Sequence, residues 1–188
     1  AIDAIKMGHL EKIVISVREL EQKRIDSMPD FLLSLRESYP GAFIFLFYIP
    51  GQELWMGASP ELLLDTQFPE QRTVALAGTL QDAPALEQWT GKERMEHRFV
   101  EQFIEEIIAT RAFRKEGPRP VKAGPVYHLK SNYSIPILDR AVNPFDLHPG
   151  PALSGYPVDT AVETIQRIEG SPRRYYTGFL GPVWNQKK

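Results

Sequence analysis

The hydrophobic residues of this chain fall into short runs separated by prolines, glycines and charged residues. Runs rich in β-branched and aromatic residues that are bounded by turn signals favour β-strands. On this basis we predict strands at 12–17, 42–49, 53–56, 62–64, 73–76, 121–130 and 175–184.

Helical periodicity is strongest in the middle of the chain. Apolar residues recur there at the spacing of one helix face, which predicts one long helix over Leu86–Phe113. Its stripe comprises Phe99, Val100, Phe103, Ile104, Ile107 and Ile108. A shorter helix is predicted from Pro29, capped by Asp26 or Ser27, and another over Val158–Glu169.

Strands come first, then a long helix, then strands and a helix again. This order predicts an α+β fold in which mainly antiparallel sheets pack with outer helices. The 188 residues suit one domain, 1–188, with a buried core.

The amino-acid composition argues against several classes of partner and site. The 43% hydrophobic and 24% charged residues are typical of a soluble globular protein, and the net charge of −2 without a basic tract argues against nucleic acid as a partner. Zero cysteines exclude a disulfide framework and a Cys-ligated metal. No apolar run approaches a membrane span, and the first residues lack the apolar core of a signal peptide, so we expect a cytoplasmic protein without a membrane partner.

The segment Leu147–Pro157 combines three prolines and two glycines, which predicts a shaped loop. A helix follows directly, and backbone N–H groups at a helix N-terminus can bind an anion. An ordinary helix entry without a ligand is equally compatible with the sequence.

Two residues beside apolar runs could exchange protons with a substrate. A lysine that loses hydration, as Lys12 would beside Ile13–Ile15, has a lowered pKa that suits a general base. A carboxyl group such as Glu61, ahead of Leu62–Leu64, has a raised pKa that suits a general acid. The alternatives are a lysine that extends into water and a solvent-facing glutamate.

Three further positions could bind a ligand. Glu96 falls on the apolar stripe of the long helix, where its carboxylate needs a cation and would suit Mg²⁺, unless it only complements the helix dipole. Gly78-Thr79 would let a backbone N–H approach an anionic substrate. His128, on a predicted strand, is either a ligand contact or a satisfied core histidine.

Five segments in order resemble the chorismate-utilising enzymes, and within them the isochorismate synthase branch. These segments are GHLEKIVIS, GASPELLL, LAGT, GKERMEH and LHPGPALSGYP. The resemblance extends from Gly8 to Gly181 and implies a fold like that of anthranilate synthase component I and isochorismate synthase. Departures are Val17 in place of an arginine, Glu93 in place of an aspartate, and Gln81-Asp82 where a basic residue is common.

The resemblance also implies roles for single residues. It makes Lys12 the base that activates water, Glu61 the acid that protonates the departing ring hydroxyl, and Glu96 a ligand of Mg²⁺. A separate group is implied to contact chorismate: Gly78 and Thr79 beside its carboxylate, His128 as a hydrogen-bond donor to the ring, and Ala152 and Leu153, which replace the Thr-Val of amine-transferring relatives.

The resemblance implies an isochorismate synthase, acting on chorismate for menaquinone or siderophore biosynthesis and monomeric when full-length. An aminating chorismate enzyme, a salicylate synthase and a non-catalytic binder of small carboxylates are the alternatives. In the family two further strands and a helix, with an arginine and a second Mg²⁺ ligand, follow the position of Gly181. We therefore expect a partial chorismate-binding domain that is inactive by itself.

Overall fold

The computed structural model describes residues 1–22, 24–138 and 140–182. The helices are α1 (Ile2–Lys6), α2 (Met28–Ser38), α3 (Gly91–Ile107) and α4 (Val158–Glu169), with a 3₁₀ turn at Leu86–Gln88. The strands are β1 (Lys12–Ile13), β2 (Phe43–Tyr48), β3 (Leu54–Ser59), β4 (Asp65–Gln67), β5 (Glu70–Leu80), β6 (Arg114–Ala123), β7 (Val126–Pro136) and β8 (Gly155–Tyr156).

The core lies between α3 and a four-stranded antiparallel sheet of order β4-β5-β7-β6. The middle strands β5 and β7 pair from Glu70 with Pro136 to Leu80 with Tyr127. Both faces of β5 are covered from Thr73 to Gly78, which explains the unbroken apolar run Val74–Ala77 in the middle of the strand. The buried cluster contains Ala75, Ala77, Val100, Ile104, Ile108, Tyr133, Ile135, Val142 and Leu147.

A buried glutamine attaches the connection after β7 to this sheet. Gln71 Oε1 accepts a hydrogen bond from Val142 N–H at 2.6 Å, and Gln71 Nε2 donates to the Val142 carbonyl at 3.1 Å. Because both polar ends of the amide are paired, a buried polar side chain is tolerated. The connection leads from here to the loop 147–157.

Two smaller antiparallel sheets flank the main one. The hairpin β2–β3 pairs Phe43 with Ser59 through Tyr48 with Leu54. Strand β1 pairs with β8, Lys12 opposite Tyr156 and Ile13 opposite Gly155. The α+β class with antiparallel pairing is thus confirmed.

Several predicted elements are also confirmed. Helix α4 has the predicted bounds, and Ser27 caps α2 by accepting a hydrogen bond from Asp30 N–H at 3.3 Å. The hairpin β2–β3 overlaps the predicted strands 42–49 and 53–56, which are separated by Pro50-Gly51. Each of these elements carried both a hydrophobic pattern and a local start or stop signal.

Three strand predictions were wrong. Only Lys12–Ile13 of the predicted strand 12–17 is a strand, because its partner β8 is also two residues long. Ile15 and Val17 are 37% and 89% exposed, so that run is not buried. Neither 62–64 nor 175–182 forms a strand, and 183–184 lie outside the described residues.

The predicted helix over Leu86–Phe113 is interrupted. Trp89 has extended backbone angles and is buried, and its indole N–H donates to the Ala83 carbonyl at 3.2 Å. Burying this ring separates the 3₁₀ turn from α3. The stripe from Phe99 to Ile108 nevertheless packs inward as predicted, with Val100, Ile104 and Ile108 in the core.

The predicted strand 121–130 is a hairpin of two strands, β6 and β7. Gly117-Pro118 lies at an irregularity between Glu116 and Arg119 within β6. The first half of β6 is charged and exposed, so it has no apolar alternation that could indicate a strand. The antiparallel pairing with β7 holds this half of β6 in the sheet.

Within the described ranges, none of the helices combines the length and apolarity that a membrane crossing requires.

Gly155 provides a test of the β1–β8 contact. Its φ is +147°, and a Cβ there would collide with the Lys12 carbonyl and lie 2.9 Å from Ala161 Cβ. We predict that Gly155→Ala lowers the free energy of unfolding by roughly 2 kcal/mol or more. Gly91→Ala is the control: open space surrounds its Cβ position, and the change should be neutral or stabilising by up to about 1 kcal/mol. Equal stabilities of the two variants in urea unfolding would contradict the described packing.

Candidate active site

Lys12 extends from β1 toward the loop 147–157. Its Nζ donates a hydrogen bond to the Pro151 carbonyl at 2.8 Å, and the residue is half-buried. Burial lowers the pKa of Lys12, while the carboxylates of Glu96 and Glu61 act in the opposite direction. The amine therefore loses its proton more readily than an exposed lysine does.

A cavity of about 360 Å³ opens beside this amine, between α1, β1 and the start of α3. Lys12 and Glu96 both line it, together with Lys92, Met95 and Phe99. A polar pair against apolar walls is the composition expected of a small-molecule site.

Glu61 follows β3 by two residues and completes the group of interacting charges. The Glu61 residue is exposed by surface area, but the protein around its carboxyl group partly desolvates it, and this desolvation raises its pKa to about 7. The Lys12 charge opposes the rise. Glu61 and Lys12 are thus shifted in the directions that a general acid and a general base require.

Glu96 lies on the first turns of α3 with its side chain 31% exposed. Its nearest cation is the exposed Lys92, whose Nζ is 3.7 Å from Glu96 Oε1, a separation that stabilises little at the surface. Glu93, one turn earlier, accepts a hydrogen bond from the Thr90 hydroxyl, which holds the pKa of Glu93 below its usual range. Glu96 is therefore the carboxylate of this helix that remains available to a ligand in the cavity.

The described ranges contain no cluster of three or more His, Cys, Asp or Glu side chains able to hold a metal. Mg²⁺ commonly takes one or two protein carboxylates and completes its octahedron with water and substrate oxygens. A half-buried carboxylate that lines a cavity fits such a partial role. The Mg²⁺ site at Glu96 stays a prediction.

A buried network fixes how α3 faces the sheet. His97 is 1% exposed, and its Nε2 lies 3.0 Å from Ser131 Oγ, which in turn donates to Glu101 at 2.6 Å. Lys115 Nζ lies 3.0 Å from the same Glu101 oxygen. Because His97 points into the sheet, its neighbour Glu96 is rotated toward the cavity.

Gly78, Thr79 and His128 meet at the end of β5. Gly78 has φ +72°, and a Cβ there would lie 3.0 Å from the Glu93 carbonyl, so glycine is required. His128 Nδ1 is 2.9 Å from the Gly78 carbonyl and 3.1 Å from Thr79 Oγ1. Since a carbonyl only accepts, Nδ1 carries the hydrogen, and the neutral ring presents a lone pair at Nε2. A neutral His128 would thus accept a hydrogen bond from a ligand rather than donate one.

Ala152 and Leu153 lie apart from these groups. Ala152 packs against the hydrophobic core, and Leu153 lines a separate cavity of about 530 Å³ beside α4. The part of this loop that meets the Lys12 amine is the Pro151 carbonyl. The two predicted contacts with substrate stay predictions without a place in the Lys12 cavity.

Two features of the site were not identified from the sequence. The acceptor of the Lys12 hydrogen bond is a backbone carbonyl, which any residue would supply. Glu169 and Arg173 form a largely buried ion pair near the strand that carries Lys12. Their spacing of four residues was the available signal.

The raised pKa of Glu61 predicts a pH-dependent stability difference. The folded state holds the proton more tightly, so wild-type stability is full below about pH 4.5 and declines as pH rises to about 7. Glu61→Gln removes this loss. The full shift corresponds to roughly 3 kcal/mol, and because water reaches the residue we expect the Gln variant to gain about 1 kcal/mol relative to wild type across that window.

Urea unfolding between pH 4 and pH 8 measures this difference. Glu87→Gln, at an exposed residue of the 3₁₀ turn, is the matched control for the loss of a glutamate charge. A difference in the free energy of unfolding between Glu61→Gln and wild type that is independent of pH would contradict the raised pKa of Glu61.

Comparisons with known proteins identify the family to which this chain belongs. The family model of the chorismate binding enzymes matches residues 1–188. The vibriobactin-specific isochorismate synthase of Vibrio cholerae is 28% identical over 189 residues, covering 92% of this chain and 48% of that protein. Isochorismate synthase EntC of Escherichia coli K12 is 30% identical over 155 residues, covering 72% of this chain and 39% of that protein. The chain thus spans about half the length, or less, of these relatives.

Solved structures show the same fold. DhbC of Bacillus anthracis superimposes with a TM-score of 0.76 at 24% identity, covering 92% of this chain and 52% of that one. Anthranilate synthase component I of Streptococcus pneumoniae superimposes with a TM-score of 0.68 at 21% identity, covering 88% of this chain and 39% of that one. With the family model matched over all 188 residues, the chain belongs to the chorismate binding enzymes.

Proposed function

We propose that the protein carrying this chain is an isochorismate synthase, which converts chorismate to isochorismate with Mg²⁺ as cofactor. The observation that carries the proposal is the Lys12 amine held 2.8 Å from the Pro151 carbonyl beside a cavity that Glu96 also lines. The pKa of Lys12 is displaced downward there and that of the interacting Glu61 upward. The names of the relatives in Vibrio cholerae and Escherichia coli support the same reaction.

Lys12 acts as the general base. A neutral amine has two N–H donors and one lone pair, so it donates to the Pro151 carbonyl and still offers the lone pair to a water molecule. The water loses a proton to Lys12 as its oxygen bonds to C2 of the ring. Holding the amine in one direction lowers the entropic cost of this step.

Glu61 acts as the general acid. The ring double bonds shift as the C2–O bond forms, the C4–O bond breaks, and the Glu61 proton leaves with the departing hydroxyl as water. The charges then balance: Lys12 has gained one proton and Glu61 has lost one. Proton transfers of this kind contribute about 10²–10⁴-fold each.

Mg²⁺, when bound, neutralises the substrate carboxylate, and Glu96 is the residue that would hold it in this chain. The Gly78 backbone offers close approach to an anionic group, since glycine leaves no Cβ in the way. His128, hydrogen-bonded through Nδ1 to the Gly78 carbonyl, offers Nε2 to a ring hydroxyl. These residues orient the substrate and exchange no proton with it.

The alternatives are an aminating chorismate enzyme, a salicylate synthase and a non-catalytic binder of small carboxylates. An aminating enzyme forms a nitrogen-containing product only when ammonia is supplied. A salicylate synthase releases pyruvate. Chromatographic analysis of the products with and without ammonia separates these reactions, and saturable chorismate binding without any product would favour the binder.

Lys12→Ala tests the role of the base, in the protein expressed from its complete reading frame. We expect kcat for isochorismate formation to fall by about 10²–10⁴-fold, with Kd for chorismate changed only a few-fold. Lys92→Ala removes an exposed lysine at the same cavity and should retain turnover. Normal turnover in Lys12→Ala would remove Lys12 from the mechanism.

The 188 residues alone provide a separate test. Because they span about half the length of the relatives, we expect negligible turnover from the purified chain. Calorimetric titration with chorismate, with and without Mg²⁺, measures whether it binds. Isochorismate formed at a rate near that of the relatives would overturn this expectation.

A further inference from the structure

Lys12 lies on a strand too short to fix its own position. Strand β1 contains only Lys12 and Ile13 and pairs with the equally short β8. Beyond the paired residues, the Val14 N–H donates to the Ser154 carbonyl at 2.8 Å. Because such short pairing opens easily, other contacts must hold the segment in place.

Glu169, the last residue of α4, supplies one of them. Its Oε1 accepts hydrogen bonds from Ser16 N–H at 2.7 Å and from Ser16 Oγ at 2.9 Å. The side chain is 6% exposed, so these hydrogen bonds form away from water. The carboxylate thereby attaches the segment after β1 to the end of a helix.

Arg173 connects that carboxylate to two backbone carbonyls. Its Nε lies 2.9 Å from Glu169 Oε2 and its Nη2 lies 2.5 Å from Oε1. Nη1 donates to the Leu153 carbonyl at 2.7 Å, and Nη2 donates to the Val14 carbonyl at 2.6 Å. The side chain is 14% exposed. A planar guanidinium directs these donors rigidly, which a lysine ammonium cannot do.

The two carbonyls occupy equivalent places. Val14 comes two residues after Lys12, and Leu153 comes two residues after Pro151, whose carbonyl accepts the Lys12 hydrogen bond. One guanidinium therefore holds both the segment that carries the amine and the segment that carries its acceptor. Without it, the two segments would keep the short β1–β8 pairing and the hydrogen bond from Val14 N–H to the Ser154 carbonyl, but would lose a link that bridges both of them directly.

We propose that Glu169 and Arg173 are positioning residues that set the Lys12 amine against the Pro151 carbonyl. The proposal rests on the assignment of Lys12 as the base of the proposed function. Neither residue touches substrate in this account. They determine how long the amine stays half-buried and aligned for proton transfer.

Arg173→Ala tests the proposal, and Arg174→Ala is its matched control. Arg174 is the same residue type one position on, and its ion pair with Glu53 is exposed, 51% on each side. The first readout is hydrogen–deuterium exchange of the amides at 11–16, compared with those of α3. The second is the pH midpoint of Lys12 acylation, followed by mass spectrometry of the digested chain. Both are measured without turnover.

We expect Arg173→Ala to speed exchange at 11–16 by about tenfold or more, with α3 unchanged. The acylation midpoint of Lys12 should move upward, toward that of an exposed lysine, because the released amine regains its hydration. Arg173→Lys should restore both readouts in part, and Arg174→Ala should leave both at wild-type values.

Unchanged exchange at 11–16 and an unchanged Lys12 midpoint in a folded Arg173→Ala variant would overturn the proposal. So would equal effects of Arg174→Ala. If Arg173→Ala does not fold, Glu169→Gln and Arg173→Lys are judged by the same two readouts. Arg173→Ala could shift both readouts while Lys12→Ala loses no turnover. That result would refute the proposed function and leave the positioning role of Glu169 and Arg173 intact.

Discussion

The hydrogen bond from the Lys12 amine to the Pro151 carbonyl is the interaction on which the site depends. It joins the beginning of the chain to the proline-rich loop that precedes α4. It also places a half-buried amine where two carboxylates, Glu61 and Glu96, act on its charge. A lysine free to extend into water would keep an ordinary pKa and could not accept a proton efficiently near neutrality.

The other predicted site residues lie on separate elements of the fold. The packed layer of α3 on β5 and β7 presents Glu96, because His97, Ser131 and Glu101 fix the rotation of the helix. The end of β5 presents Gly78 beside His128. Glu96 and Gly78 are thus attached to different elements of the same packed layer.

The sequence was most informative where the physical signal was local. Helix α4 was predicted with its correct bounds because an amphipathic stripe follows a proline and precedes Gly170. Strand β6 was missed because its first residues are charged, and its pairing with β7 depends on backbone groups that side chains do not report. The break before α3 was missed because the burial of Trp89 depends on Ala83 and the distant Leu129 of β7.

The same distinction applies to the site. Lys12 and Glu61 were candidates because each is an ionisable residue beside an apolar run, and Glu96 because it falls on the apolar stripe of α3. Their roles stay predictions. The hydrogen bonds from Lys12 to the Pro151 carbonyl and from Arg173 to the Val14 carbonyl each join positions more than a hundred residues apart, and no spacing rule encodes them.

The central claim is that the Lys12 amine and the Glu61 carboxyl titrate as an interacting pair. Carbon-13 NMR titration of the Glu61 carboxyl, in wild type and in Lys12→Ala, measures it most directly. The account predicts a Glu61 pKa near 7 in the wild-type chain, and a higher value when the lysine charge that lowers it is removed. A Glu61 pKa in the ordinary range of glutamate, unchanged by Lys12→Ala, would contradict it.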